Sequence, residues 1–218
     1  MFLTGWEVVD IVFMVLAGGF IFQHFLQQQL FVATADSDHP EHTYNANRQW
    51  WLTFKIACLI AAIAIVLHEF GHKIAALYFG LNASMHAPYL FLAIAVVLVL
   101  LRSPIIFFIG GYVEYACNQL APSASCILAA GYYYPSSWSV MWIALWGPLV
   151  NLIIFLICYL MLSNKKTTKW LKKKGKYHIP TFIMLKQVNL FLFIFNMIPI
   201  PGFDGWGVFS NLWTLIFH

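Results

Sequence analysis

The 218-residue chain is 61% hydrophobic and only 9% charged, whereas soluble domains usually carry about 25% charged residues. A soluble fold of this length has too little interior to bury that much apolar surface, so lipid must solvate much of it. This excludes an ordinary cytosolic enzyme, a disordered protein and a secreted disulfide scaffold. The net charge of +4 includes seven lysines between Lys165 and Lys176, which indicates one basic loop and not a nucleic-acid surface.

Long apolar runs predict an all-α bundle of transmembrane helices. A helix needs about 20 apolar residues to cross the hydrocarbon core. We expect about five to six spans, and therefore an integral multi-pass membrane protein in contact with the bilayer. The candidate runs are 6–32, 50–79, 88–109, 138–162 and 182–199.

One membrane-embedded domain, 1–218, accounts for the chain. We divide it into an accessory first helix with a polar loop (1–49), a catalytic core (50–206) and a short C-terminal segment (207–218). The first helix carries Glu7 and Asp10 and lacks a basic leading region, which is typical of a retained span and not of a cleaved signal peptide.

The four cysteines show no C-x-x-C spacing and mostly lie in apolar runs. We interpret them as small residues that face lipid or the core, and they indicate no redox compartment. They are Cys58, Cys117, Cys126 and Cys158.

The second apolar run contains the sequence His68-Glu69-Phe70-Gly71-His72, an H-E-x-x-H motif. Positions four apart lie on one face of a helix, so both imidazoles can reach one zinc ion. Glu69 lies beside them and can serve as the general base for an attacking water. Ionisable groups inside a membrane segment are costly, which favours function over coincidence.

A hydrolytic zinc site needs a third protein ligand. After Glu69 the chain contains only two acidic residues, Glu114 and Asp204, and three further histidines, His86, His178 and His218. Asp204 lies in the stretch 199–205, which contains two prolines and two glycines and must therefore unwind the last apolar helix. Unwound backbone at membrane depth is tolerated only where it lines a cavity, so we expect Asp204 in a hydrated pocket.

Three motifs together resemble the site-2 protease family, the M50 intramembrane zinc metalloproteases, in a compact form without a PDZ domain. They are the histidine motif at 68–72, the sequence Gly147-Pro148-Leu149-Val150-Asn151, and Asn196-x-x-Pro199-x-Pro201-x-x-Asp204-Gly205. The resemblance covers about 50–206.

The resemblance implies one Zn²⁺ per chain, bound by His68, His72 and Asp204, with Glu69 as the general base. It implies that Asn151 and Asn196 hold the substrate backbone or the oxyanion. It also implies hydrolysis of peptide bonds within or near membrane-spanning helices, as in regulated intramembrane proteolysis. The expected substrates are single-span membrane proteins, with no nucleic-acid partner; the oligomeric state is open.

The segment containing Gly110 and Gly111 also resembles the family's re-entrant β-hairpin, which follows the histidine helix. Such a hairpin offers a strand edge to an extended peptide, and strand addition is a suitable way to hold a peptide for cleavage. An ordinary loop is the alternative interpretation of these two glycines.

Two alternative functions remain open at this point. The chain could be a non-catalytic membrane protein, either a transporter or a pseudoprotease, since transporters also use proline-broken helices. It could also be a membrane gluzincin, which would require Glu114 at the metal instead of Asp204.

The orientation in the membrane is also open. The lysine loop favours a cytoplasmic position for that loop, which places the zinc site towards the opposite side. The family resemblance suggests a site nearer the cytosol. In either case the segment 80–138 must begin and end on the same side.

Overall fold

The computed structural model describes residues 3–35, 46–103, 110–175 and 177–217. It is mostly helical with two small antiparallel sheets, so the predicted fold class is confirmed. The elements in chain order are α1 Gly5–Ala35, α2 Ala46–Ala61, a π-helical segment Ala62–Val66, α3 Leu67–Tyr78, β1 Asn82–His86, α4 Tyr89–Leu100, β2 Tyr112–Ala116, β3 Cys126–Ala129, β4 Tyr132–Pro135, α5 Ser137–Ser163, α6 Lys165–Lys174, α7 His178–Asn196 and α8 Asp204–Phe217.

Within the described residues, four helical segments are long and apolar enough to cross a membrane: Gly5–His24, Trp50–Tyr78, Ser137–Ser163 and His178–Asn196. The predicted span at 88–109 appears instead as α4, which has 12 residues and is therefore about 18 Å long, short of the roughly 30 Å hydrocarbon core. Residues 104–109 lie outside the described part, as does most of the polar stretch at 34–48. For the described residues, the estimate of five to six spans thus becomes four candidate spans and one shorter apolar helix.

The four candidate spanning helices pack around a main apolar core. Helix α1 runs antiparallel to α2 and α3: Gln23 donates to the Trp50 carbonyl near one end, and Glu7 pairs with Lys73 near the other. Helices α5 and α7 close the bundle. The core is formed by fully buried side chains from α1, α2 and β1, including Met14, Ile21, Leu26, Ile60 and Met85.

A buried ion pair joins α1 to α3. The Lys73 ammonium donates to the Glu7 carboxylate, and both side chains are almost fully buried. The same carboxylate accepts hydrogen bonds from the backbone N–H groups of Met85, at 2.8 Å, and Thr4, at 2.8 Å. The division of the chain into an accessory first helix and a catalytic core stays a prediction. The ion pair joins these two parts, because Glu7 lies in α1 and Lys73 lies in α3, the helix that carries the histidines.

Two short β-pairs lie at the same end of the bundle as the N-terminus of α5. Strands β1 and β2 pair from Asn82 with Ala116 to His86 with Tyr112, and β3 pairs with β4 in a hairpin. A disulfide joins Cys117 to Cys126 and so ties β2 to β3. This corrects the interpretation of these two cysteines as plain core residues, whereas Cys58 and Cys158 are free.

We expect Lys73→Met to destabilise the fold by about 3 to 5 kcal/mol, because it leaves the buried Glu7 carboxylate without its cation. The double variant Glu7→Gln/Lys73→Met should recover most of that loss. Thermal unfolding of the purified protein in detergent measures both effects. Lys172→Met, at an exposed position of α6, is the matched control. An equal loss of stability in this variant would contradict the conclusion that the loss in Lys73→Met comes from the buried ion pair.

Candidate metal centre

Helix α3 supplies three buried polar side chains on adjoining turns. His68, Glu69 and His72 are each no more than 6% exposed. The π-helical segment directly precedes this helix, and such wider turns often occur at functional sites because they change which backbone groups are paired. The carbonyl of Ala64, in this segment, accepts a hydrogen bond from a side chain on α5.

The structure brings both histidines to Asp204. The Nε2 atoms of His68 and His72 are 3.1 Å apart, and each lies 3.2 Å from a carboxylate oxygen of Asp204. Within the described part of the chain this is the one cluster of three ligand-type side chains suited to a metal ion. The ligands therefore come from two helices far apart in sequence, α3 and α8.

The outer nitrogens of both imidazoles are engaged by the protein. The Nδ1–H of His72 donates to the Ile143 carbonyl at 2.7 Å, and the Nδ1–H of His68 donates to the Asn151 side-chain oxygen. This assignment of the protons leaves a lone pair on each Nε2. Two lone pairs and a carboxylate thus converge on one point.

The donor set fits zinc. Ligands at about 2.0 to 2.2 Å from a tetrahedral ion lie about 3.3 to 3.6 Å from one another, close to the 3.1 and 3.2 Å separations observed. A proton could bridge only two of the three groups, whereas a cation satisfies all three. Three protein ligands also leave the fourth position that a catalytic zinc requires.

Helix α5 supports the imidazoles through a glycine. A Cβ atom added at Gly147 would overlap the ring of His72 and come within 2.8 Å of the His68 Nε2 atom. Pro148 follows directly inside the helix and cannot donate the usual backbone hydrogen bond. The Gly-Pro pair therefore allows close approach of the rings at a place where the helix already lacks a backbone bond.

The break between α7 and α8 positions the carboxylate. Helix α7 ends at Asn196, and Asp204 is the first residue of α8, where the helix dipole favours a negative charge. The intervening turn packs tightly, since a Cβ at Gly205 would meet the Ile198 carbonyl oxygen at 2.6 Å. The expected unwinding of the last apolar run is therefore present, and it brings Asp204 to the histidines.

Glu69 lies at a cavity of about 340 Å³ that is also lined by the three candidate ligands. Its carboxylate oxygen Oε2 is buried and makes no hydrogen bond to the described residues. A buried polar atom without a partner is costly, so the arrangement favours a ligand or water that enters this cavity. Glu69 does not belong to the ligand cluster, as a general base requires.

Gly110 and Gly111 line the same cavity, immediately before β2. A Cβ at Gly111 would lie 2.8 Å from the Glu69 Cγ atom and 2.7 Å from the Met14 sulfur. Gly111 therefore lets the backbone pass between α1 and the candidate base. The re-entrant hairpin expected for this segment takes the form of an antiparallel pair between β2 and β1, two strands that α4 separates in sequence.

The two predicted substrate-binding asparagines occupy different positions. Asn196 lines the cavity, and its Nδ2 atom lies 3.4 Å from the His68 Nε2 atom. Asn151 is fully buried behind His68, and its Nδ2 group donates to the Ala64 carbonyl and to Asn189 Oδ1, both at 2.8 Å. A direct contact between Asn151 and a substrate would require these bonds to break. The assignment of Asn151 to the substrate stays a prediction, and the contact observed is with His68.

Two further residues at the site were missed by the sequence analysis. Asn189, fully buried on α7, holds Asn151 and donates to the Leu185 carbonyl at 2.8 Å. Tyr115, on β2, lines the cavity. Burial raises the pKa of its phenol, and the nearby Asp204 carboxylate raises it further, so Tyr115 remains a hydrogen-bond donor. A polar residue in an apolar run was a usable signal for Asn189; no comparable signal distinguished Tyr115.

Glu114, the alternative third ligand, lies elsewhere. Its side chain is 69% exposed and faces the His86 Nε2 atom at 3.8 Å. It is absent from both the ligand cluster and the cavity lining. The gluzincin arrangement therefore has no support from the geometry.

An H-E-x-x-H centre on apolar helices, completed by a distant aspartate, is the arrangement of a membrane metalloprotease. A sequence model of peptidase family M50 matches residues 56–178, more than half of the chain, and the chain belongs to this family, the site-2 protease family. M50 peptidases are membrane-embedded and generally zinc-dependent. No curated protein and no solved structure matches the chain. Asp204 lies beyond the matched range, so its assignment depends on the geometry described above.

We expect Gly147→Ala to weaken zinc retention by about 10- to 100-fold, the range found when the support of a metal ligand is disturbed. The added methyl group would push both imidazoles away from Asp204. Elemental analysis of protein purified at limiting zinc measures the change, with circular dichroism to verify folding. The control is Gly5→Ala, where an added Cβ meets no atom within 4 Å. Full zinc occupancy in a folded Gly147→Ala protein would contradict the packing argument.

The third ligand can be tested by a matched pair of variants. Asp204→Asn removes the negative ligand and should lose most of the bound zinc. Glu114→Gln makes the same chemical change at the alternative acid and should retain it. The zinc stoichiometry after dialysis distinguishes the two variants. Loss of zinc in Glu114→Gln and retention in Asp204→Asn would indicate that Glu114, on β2, is the third ligand.

Proposed function

We propose that this chain is an intramembrane zinc metalloendopeptidase of the site-2 type, which hydrolyses peptide bonds within or near the membrane-spanning helices of its substrates. The observation that carries the proposal is the convergence of His68, His72 and Asp204 beside the buried, unpartnered carboxylate oxygen of Glu69. The proposed protein is multi-pass, consistent with the four helices of spanning length found among the described residues.

One zinc ion per chain, when bound by the two histidines and Asp204, would supply a Lewis acid and make water more acidic. Glu69 acts as the general base: it accepts the proton of the attacking water and later delivers it to the leaving nitrogen. Its burial suits this task, because a carboxylate with no protein hydrogen-bond partner is available to the water. Asn151 and Asn189 keep the His68 lone pair directed at the metal position.

The substrate must be unwound before it can be cut, since a helix hides its carbonyls in backbone hydrogen bonds. Strand β2 has one edge paired with β1, and an extended substrate could pair with its other edge. Asn196, at the cavity, is placed to donate a hydrogen bond to the oxygen of the scissile carbonyl. Gly110 and Gly111 line the cavity, and the protein backbone at Gly111 lies close to Glu69 because glycine has no Cβ atom.

Single-span membrane proteins with weak helices are the substrates this site would suit, in keeping with regulated intramembrane proteolysis. A helix that unwinds readily lowers the cost of presenting an extended segment at a cavity of this size. A transport site would use ligands for its cargo but has no need for a separate, non-ligating carboxylate beside the histidines. Glu69 therefore favours hydrolysis over transport.

We expect Glu69→Gln to retain about one zinc per chain and to reduce cleavage by about 10²- to 10⁴-fold, the usual contribution of a general base. Purified protein is incubated in proteoliposomes with a panel of single-span substrates, with and without a zinc chelator, and fragments are identified by mass spectrometry. Glu41→Gln, in the polar stretch after the first helix, is the control. Undiminished cleavage by Glu69→Gln would refute the assignment of the base.

A further inference from the structure

Tyr115 brings a phenol to the catalytic cavity that takes no part in zinc binding or in proton transfer. The burial of strand β2 alternates: Val113 and Tyr115 are half-buried, whereas the Glu114 side chain between them is 69% exposed. Both half-buried residues line the cavity. Successive side chains of a strand lie on opposite faces, so the pleat of β2 turns Tyr115 towards the bundle.

The packing of β2 holds the Tyr115 ring in place. Tyr115 pairs with Ala83 of β1, and both side chains pack against a buried cluster that contains Ala76 and Ile143. Two residues after Tyr115 the strand is joined to β3 by the disulfide. A ring held by a strand pair, a packed cluster and a covalent link is preorganised, as a group that stabilises developing charge must be.

Tyr115 and Asn196 lie on different sides of the candidate metal centre. The Ile143 carbonyl, in the cluster on which Tyr115 packs, accepts the hydrogen bond of the His72 Nδ1–H at 2.7 Å. Asn196 lies on the other side, with its Nδ2 atom 3.4 Å from the His68 Nε2 atom. Two side chains that carry hydrogen-bond donors therefore flank the place where the scissile carbonyl would lie.

The Tyr115 hydroxyl is available to a ligand. It makes no hydrogen bond to the described residues, and unlike the Glu69 Oε2 atom it is not fully buried. Burial, and then the charge of the nearby Asp204 carboxylate, raise the pKa of this phenol, so the hydroxyl keeps its proton. A protonated hydroxyl that opens onto the cavity can donate to an oxygen that carries negative charge.

We propose that Tyr115 is a further catalytic residue, which donates a hydrogen bond to the oxygen of the scissile carbonyl as the attacking water adds to its carbon. This inference rests on the proposed function. When the water oxygen bonds to the carbon, the electron pair of the C=O π bond moves to the carbonyl oxygen. Tyr115 and Asn196 stabilise that charge, and Tyr115 keeps its proton. Glu69 takes the proton of the water and delivers it to the nitrogen as the C–N bond breaks.

Tyr115→Phe removes only the hydroxyl and keeps the packed ring. We expect this variant to retain one zinc per chain and to lower kcat by about 10²- to 10³-fold, the usual effect of losing one donor to such an oxygen. KM should stay near the wild-type value, because the hydrogen bond forms fully only in the transition state. Both constants are measured in proteoliposomes with a single-span substrate, and zinc stoichiometry and circular dichroism verify the site and the fold.

Tyr133→Phe is the matched control. Tyr133 lies on β4 and packs against the same cluster, but it does not line the cavity. Loss of its hydroxyl should leave kcat unchanged. An equal loss of kcat in both variants would show a general effect on packing and would overturn the assignment of Tyr115.

Binding of a phosphinate analogue of the substrate supplies a readout that needs no turnover. Its tetrahedral phosphorus carries charged oxygens where the reacting carbonyl develops charge, so Tyr115→Phe should weaken its binding by about the factor lost from kcat. Binding of the uncleaved substrate, measured in the Glu69→Gln background, should be the same with and without Tyr115→Phe. Weaker binding of this substrate by the same factor would make Tyr115 part of a binding wall and would overturn the inference.

The remaining outcomes separate this inference from the proposed function. Zinc-dependent cleavage by the wild-type chain, together with unchanged kcat and unchanged analogue affinity in Tyr115→Phe, overturns the inference alone. A raised KM with unchanged kcat overturns it as well. A wild-type chain that neither cleaves the substrates nor binds the analogue contradicts the proposed function and, with it, the role of Tyr115.

Discussion

The candidate metal centre depends on two hydrogen bonds made by the outer nitrogens of its imidazole rings. The far nitrogen of each imidazole donates to a fixed oxygen, the Ile143 carbonyl for His72 and the Asn151 side chain for His68. These bonds select the tautomer with a free Nε2 lone pair and fix the ring orientation. Both oxygens belong to α5, so the packing of α3 against α5 determines whether the ligands converge.

Glycines at the points of closest approach allow α3, and also α8, to pack tightly against α5. Gly71 of α3 faces the Trp146 carbonyl, which a Cβ would approach to 2.9 Å, and Gly207 of α8 faces the Cβ of Ala144 at the same distance. Membrane helices gain little from hydrophobic contact with one another and associate mainly through such close packing and polar bonds. The Asn189, Asn151 and His68 series adds the polar component, with each side chain buried.

Much of this arrangement could be predicted from the sequence, for identifiable reasons. Four of the predicted spans appear within a few residues of their expected bounds because a long apolar run with flanking polar residues has one stable form in lipid. The proline-broken stretch predicted Asp204 in a hydrated pocket, and its place beside the histidines was implied by the resemblance to the site-2 protease family. The prediction of a full span at 88–109 was wrong for the described residues, where the helix has 12 residues. Apolarity alone does not reveal where a helix ends. The positions of Tyr115 and Asn189 at the candidate site depend on which helices and strands become neighbours in the fold. The disulfide depends on the arrangement of β2 and β3, which brings its two cysteines together.

The polar groups of the bundle also explain why the first helix packs against the catalytic helices. Glu7 and Asp10 lie in a span where unpaired acids would be costly, yet each has partners on later elements: Lys73 and the Met85 N–H for Glu7, and the Tyr89 hydroxyl for Asp10. These contacts fix α1 against α3 and α4 and place Met14 beside Gly111. Because Gly111 also touches Glu69, a displacement of α1 would change the wall of the cavity at the candidate base. The charged residues of α1 therefore act on the same cavity as the candidate metal ligands, although they precede these ligands by 58 residues or more in the chain.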